Sequence, residues 1–317
     1  MKKLITSLLL TILILETITR LTPYPWVLEP SFSQMGSLRS IEYEFENRNP
    51  KIIFFGNSLT RDGISPKILS SKLELDEEEI INAGVSAGNL FLDYKILDSL
   101  FEYPKLIILQ VDLNRFLNEQ THNSYYFKKL STLQDLEAIN FSLKSLPDYS
   151  NIFLKSFASS DIWHRYIFSR NESEEIGQFI PKDNLGQFKI YAEDTQLDEG
   201  FYSLETYIGA TQKINDINNF LYFKKICNLA FLNDMTIGLI HLPLNFQDFD
   251  NKISKEIELY FDYLESECKS ETFIINNIDY DFKAENVFID YGHLNNDGAL
   301  EYSVYLSNLI IDQDIDF

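Results

Sequence analysis

The sequence predicts an α/β fold: one open, mainly parallel sheet of five strands with helices on both faces. Three observations lead there. From Lys51 onward, short continuous apolar runs alternate with longer amphipathic ones, as buried parallel strands and their crossover helices do. Their order is β-α-β-α-β, an interruption, then α-β-α-β-α, and right-handed crossovers turn that order into a sheet covered on both faces. Of the 317 residues, 45 % are hydrophobic and 24 % charged, which supplies a substantial core.

Each element has a local reason. Ile52 to Phe55 is an unbroken apolar run stopped by Gly56. Pro66 suits the first turn of a helix that puts Ile68, Leu69 and Leu73 on one face. Ile80 to Ala83 reads as the second strand, Leu90 to Leu100 as a helix, and Leu106 to Val111 (LIILQV) as the third strand. A helix around Ile214 to Leu232 leads into the fourth strand, Thr236 to Leu242, which Pro243 ends. Lys252 to Cys268 is helical in pattern, and residues 272–276, centred on Phe273 to Ile275, form the fifth strand. Near Asp297 to Ile311 a last helix aligns Ala299, Tyr302, Leu306, Leu309 and Ile310 as one stripe. The expected architecture is a flavodoxin-like three-layer sandwich. Residues 115–207 are too many for an ordinary connection. They are rich in aromatics (Tyr125, Tyr126, Phe127, Trp163, Tyr166, Phe168) and read as an insertion capping the sheet's carboxyl edge.

The first 20 residues, MKKLITSLLLTILILETITR, place Lys2 and Lys3 before a mainly apolar run from Leu4 to Leu15. That is the layout of a secretory signal. The run is short for a membrane span, and no small-x-small cleavage site follows it. An uncleaved signal anchor is the first reading, a cleaved signal peptide the second. Either puts the main domain outside the cytoplasm, with the membrane as a partner of the N-terminal segment. Residues 21–49, with Pro23, Pro25 and Pro30, read as a linker, and 50–317 as the main domain. With 27 basic and 48 acidic residues the net charge is −21, the opposite of the basic footprint that nucleic acid requires. Cys227 and Cys268 show no CxxC pairing and no regular spacing with the four histidines, so neither a metal site nor a cofactor is expected. A disulfide between them is one alternative; two unpaired, partly buried thiols is the favoured one.

In open α/β sheets chemistry gathers at the carboxyl ends of the strands. The first end reads Gly56-Asn57-Ser58, which places a serine hydroxyl over the sheet as a candidate nucleophile. Gly-Asn-Ser is also ordinary turn and cap chemistry. The second end, Gly84-Val85-Ser86-Ala87-Gly88, matches the G-x-S-x-G elbow and offers Ser86 as a rival. Late in the chain, Asp290 and His293 lie three residues apart. That spacing lets the carboxylate hold one imidazole nitrogen and leave the other free as a general base. Asn295 or Asn296 then caps the following helix.

Together these residues resemble the SGNH (GDSL-like) hydrolase superfamily. Gly56-Asn57-Ser58 is similar to its first signature, with Asn57 for the usual aspartate. Asn82-Ala83-Gly84-Val85-Ser86-Ala87-Gly88 resembles the second, N-x-G-x-x-G. Gln110-Val111-Asp112-Leu113-Asn114 lies where the family carries Q-x-G-x-N-D, but Asp112 replaces the glycine and Arg115 the aspartate. Asp290-Tyr291-Gly292-His293-Leu294-Asn295 with Gly298 matches D-x-x-H-L-N-x-x-G. The resemblance covers roughly residues 50–114 and 236–312. It implies Ser58, His293 and Asp290 as a catalytic triad, and an oxyanion hole from the N–H groups of Ser58 and Gly84 with the Asn114 amide. Four motifs in order weigh Ser58 over Ser86. The implied activity is hydrolysis of an acyl ester, or transfer of its acyl group to a hydroxyl, on an envelope glycan or lipid. A non-catalytic envelope scaffold or carbohydrate binder on the same fold is the alternative. His241 reads as a hydrogen-bonded structural histidine, His122 and His164 as surface or cap residues, and Arg61 as a salt-bridged surface arginine.

Overall fold

The computed structural model describes residues 47–85, 88–117, 207–214, 218–245, 251–283, 286–290 and 292–317, with scattered positions before 46 and at 130 and 135. The chain divides into two compact units, one of residues 1–39 and 120–180, the other of residues 40–119 and 181–317. The second contains the sheet. Its strands are β1 (Ile52–Gly56), β2 (Ile80–Gly84), β3 (Leu106–Gln110), β4 (Thr236–His241) and β5 (Thr272–Asn276). All four neighbouring pairs are parallel, in the order β2-β1-β3-β4-β5. The five-strand α/β expectation therefore holds, and the strand order is the flavodoxin-like one.

The helices are α1 (Ser58–Gly63), α2 (Pro66–Leu73), α3 (Leu90–Asp98), α4 (Leu113–Leu117), α5 (Ala210–Ile214), α6 (Asn218–Leu232), α7 (Asn251–Ser266) and α8 (Asn296–Ile311). Helix α8 packs on α1 and α2. Helix α3 packs on α6, whose Phe220 stacks on Tyr263 of α7 with ring centroids 5.6 Å apart. Strands β1, β2 and β3 are buried along their whole length, while β5, at the edge, is mostly half-buried. The apolar runs of β1 and β3 stand inside the sheet, and that of β2 is buried at its other edge.

Three features depart from the sequence reading. Ser58 opens a short helix, α1, ahead of the one expected from Pro66, and Asn57 caps it by accepting the Leu59 N–H. The described residues at the two ends of the expected 115–207 insertion pack into the sheet unit. Arg115, Phe116 and Tyr207 are buried in the sheet unit, where Phe116 and Tyr207 each meet Tyr260 edge-to-face. Apart from Leu117 and positions 130 and 135, the insertion's remainder, and with it the cap expectation, lies outside the described residues. Finally, Cys227 and Cys268 are joined in a disulfide, not left as two thiols; their Cα atoms are 5.1 Å apart. The pairing joins α6 to the segment after α7, a meeting that no sequence spacing announces.

Among the described residues no helix is long and apolar enough to cross a membrane. Most of the N-terminal signal and the linker lie outside the described residues.

Candidate active site

Strand order reverses between β1 and β3 (β2 lies on one side of β1, β3 on the other), and such a switch point leaves a crevice at the carboxyl ends. Ser58 follows β1 there. Two residues before it, Gly56 admits no side chain, since a Cβ would collide with the side chains of Thr60 and Gln110. Gly88 carries the same restriction, because a Cβ would come within 2.5 Å of the Gly56 carbonyl.

The acid–base loop is built differently. Phe288 and Leu294 form an antiparallel bridge, and Ile289 N–H donates to the His293 carbonyl at 2.8 Å. Inside this loop Asp290 divides its two oxygens. Oδ1 accepts the N–H groups of Gly292 and His293 at 2.9 and 2.8 Å, and Oδ2 accepts Nδ1–H of His293 at 2.8 Å. Burial pushes the Asp290 carboxyl up, but hydrogen bonds from the His293 ring and from these two N–H groups outweigh it and hold it at about 2. A carboxylate only accepts, so Nδ1 carries the proton and Nε2 presents a lone pair. Nε2 lies 2.8 Å from Ser58 Oγ. Asn295, of the two cap candidates, caps α8, its side chain accepting from Gly298 N–H.

The structure brings together Ser58, His293 and Asp290. Ser86 lies outside the described residues, as do His122 and His164. Ser58 N–H, at the first position of α1, has no helical acceptor. Asn114 is half-buried in α4. Gly84, the other expected backbone donor, is engaged within its own strand. Its N–H donates to Asn82 Oδ1 at 3.0 Å, so this oxyanion donor is already partnered. A Cβ on Gly84 would strike the Arg61 backbone, which gives the glycine a packing reason of its own. Arg61 pairs with its neighbour Asp62 at 2.7 Å. His241 is buried; it donates Nδ1–H to the Leu242 carbonyl and accepts the Tyr207 hydroxyl at Nε2, both at 2.8 Å. Burial holds it below the ordinary imidazole range, against the pull of Asp112.

Residues that the sequence reading quoted in its motifs without assigning them a supporting role hold this site in place. Asn82 Nδ2 donates to the carbonyls of Thr60 and Ile64 at 2.9 and 2.8 Å, closing the end of α1. Gln110 Oε1 accepts Asn57 N–H at 2.9 Å and the Thr60 hydroxyl at 2.7 Å. Arg115, buried, pairs with Asp93 and donates to the Gln110 carbonyl. The available signal was a polar residue closing the apolar run LIILQ, because a buried amide must find partners.

A hydroxyl, an imidazole and a carboxylate in line at the edge of an α/β sheet are equipped for nucleophilic acyl chemistry. No family model matches the chain. No curated protein matches it. Among solved structures it is similar to a Streptococcus pneumonia protein provisionally described as a platelet activating factor. The two are 11 % identical, the alignment covers 98 % of this chain and 99 % of that one, and the TM-score is 0.43. That likeness is too slight to carry function across.

Proposed function

We propose that the chain is a serine acyl-ester hydrolase or O-acyltransferase working through Ser58, His293 and Asp290. The observation that carries the proposal is the unbroken hydrogen-bonded line Ser58 Oγ, His293 Nε2, His293 Nδ1, Asp290 Oδ2, with 2.8 Å at each step between residues. His293 takes the proton of Ser58 as Oγ attacks the ester carbonyl, and Asp290 steadies the imidazolium. The oxyanion meets Ser58 N–H and the Asn114 amide, with Gly84 N–H joining where Asn82 releases it. Each such donor contributes on the order of 3 kcal/mol to the transition state. His293 then protonates the departing alkoxide. Water completes a hydrolysis; a sugar hydroxyl completes a transfer.

The SGNH-like order of the four motifs supports this reading, and so does the Cys227–Cys268 bridge. Disulfides persist in oxidising compartments, which agrees with a domain held outside the cytoplasm by an N-terminal anchor, acting on an envelope glycan or lipid. Labelling the full chain with a fluorophosphonate tests the proposal. Modification of Ser58, abolished by Ser58→Ala, is expected; a folded protein that stays unlabelled favours the non-catalytic scaffold.

A further inference from the structure

We propose that Gln110 and Asp112 are positioning residues for the nucleophile, with Asp112 setting which way the Gln110 amide faces. The inference rests on the serine-hydrolase reading. Gln110 is fully buried at the end of β3, beside the Ser58 turn, and Asp112 is 4 % exposed. Oε1 accepts Asn57 N–H and the Thr60 hydroxyl, while Nε2 donates to Asp112 Oδ2 at 2.5 Å. An amide can rotate end for end and fill the same space. Here the two ends face groups of fixed character: a backbone N–H only donates and a carboxylate only accepts. Asp112 therefore enforces the orientation that keeps Oε1 on Asn57. Rotated, the amide would set NH₂ against N–H, and the residue before Ser58 would lose its anchor.

The anchor reaches the nucleophile from both sides. Asn57 N–H is held by Gln110, and the Asn57 side chain in turn holds Leu59 N–H at 2.9 Å. Ser58 sits between these two fixed groups. Gly56 reserves the space for the amide, since a Cβ there would come within 2.5 Å of Gln110 Oε1. Arg115 grips the Gln110 carbonyl from behind. So the three positions that depart from the resembled pattern, Asn57, Asp112 and Arg115, all take part in this support.

Reversing the polarity of the contact tests it. In Gln110→Glu, two carboxyl groups face one another and cannot both ionise. The contact survives only while a proton is shared, so kcat on a short-chain aryl acetate should fall as pH rises. We expect a loss of about 100-fold at pH 8, the scale of a small misplacement of a reacting group, with KM nearly unchanged and a much smaller loss at pH 5.5. Adding Asp112→Asn restores a donor opposite the introduced carboxylate and returns the pair to its original net charge. The double variant Gln110→Glu/Asp112→Asn should recover most of the activity and lose the new pH dependence. A general packing defect predicts neither. Should Gln110→Glu fold poorly, Thr60→Val removes one bond of the same anchor and should lower kcat several-fold at constant KM. Normal kcat at pH 8 in Gln110→Glu, or a folded double variant no better than the single one, overturns the proposal. The wild type and Ser58→Ala, run alongside, separate the failures. If Ser58→Ala is as active as wild type, the hydrolase reading falls and this inference with it. If only Ser58→Ala is impaired, the positioning role alone is wrong.

Discussion

The two halves of the candidate site are held in opposite ways. The loop carrying Asp290 and His293 is tied by its own residues, two and three positions apart. The turn carrying Ser58 is tied by Gln110, about fifty positions away. The first half is self-contained. The second rests on the buried Gln110 and Asn82 and depends on three strands arriving together. Damage to the loop should therefore stay in the chemistry, whereas damage behind the turn should spread into the fold.

The largest expected effect falls where the halves meet. Ser58→Ala and His293→Ala should each remove nearly all ester turnover, a loss on the order of 10⁶-fold in kcat. The double variant should be little worse than either, because the pair acts as a unit. Steady-state kinetics on an aryl acetate checks this, and clearly additive losses would show that the two side chains act separately. Next comes Asp290→Asn, at about 10⁴-fold, with the wrong imidazole tautomer favoured. If the loop is self-contained, the thermal midpoint of this variant should fall only by what the Asp290 carboxylate contributes, while its activity collapses. A large drop in midpoint would break the comparison.

The same contrast explains what could be read from the sequence. The apolar runs of β1, β2 and β3 declare themselves, because strands buried on both faces are mostly apolar. Asp290 and His293 are legible for a different reason: their contact is local, so spacing encodes it. The roles of Gln110, Asn82 and Arg115 are not, since each serves a partner brought close only by sheet order. For Gly84 the motif suggests an oxyanion donor but does not announce that Asn82, two residues earlier, holds its N–H. The cysteines belong with the long-range group, 41 residues apart in sequence.

That bridge gives the next prediction. Closing a loop of this size is worth about 4 kcal/mol of unfolded-state entropy in the chain-entropy model. Cys227→Ser/Cys268→Ser should lower stability by up to that amount, read by denaturant midpoint with and without reductant. Reductant should shift the wild type towards the variant and leave the variant unmoved. An unchanged wild type under full reduction would mean that the bridge contributes little. Because both cysteines lie away from the loop, kcat at a temperature where the variant is folded should change little.

The smallest effect separates the halves by pH. Asp93 is buried behind β3 against Arg115; burial pushes its carboxyl up to about 6, with the charge and hydrogen bond of Arg115 pulling the other way. Asp290 is held at about 2. Both start near 3.8 in the unfolded chain, so their linkages have opposite signs. Asp290 ionises more readily in the folded state; its contribution is present above about 3.8 and is lost as pH falls through about 2. Asp93 binds a proton more readily in the folded state. Its contribution therefore improves as pH falls from about 6 towards 3.8 and is at its poorest above about 6. Urea midpoints of wild type and Asp93→Asn, compared at intervals from pH 4 to 8, isolate this group. Wild type should gain on the variant as pH drops through that window, and the gap should be constant above it. The variant also strips Arg115 of its anion, but that shifts the gap without giving it a pH slope. A gap that stays flat, or that widens in the opposite direction, would show that the Arg115 charge outweighs burial and that the support behind the nucleophile turn is a fully ionised pair.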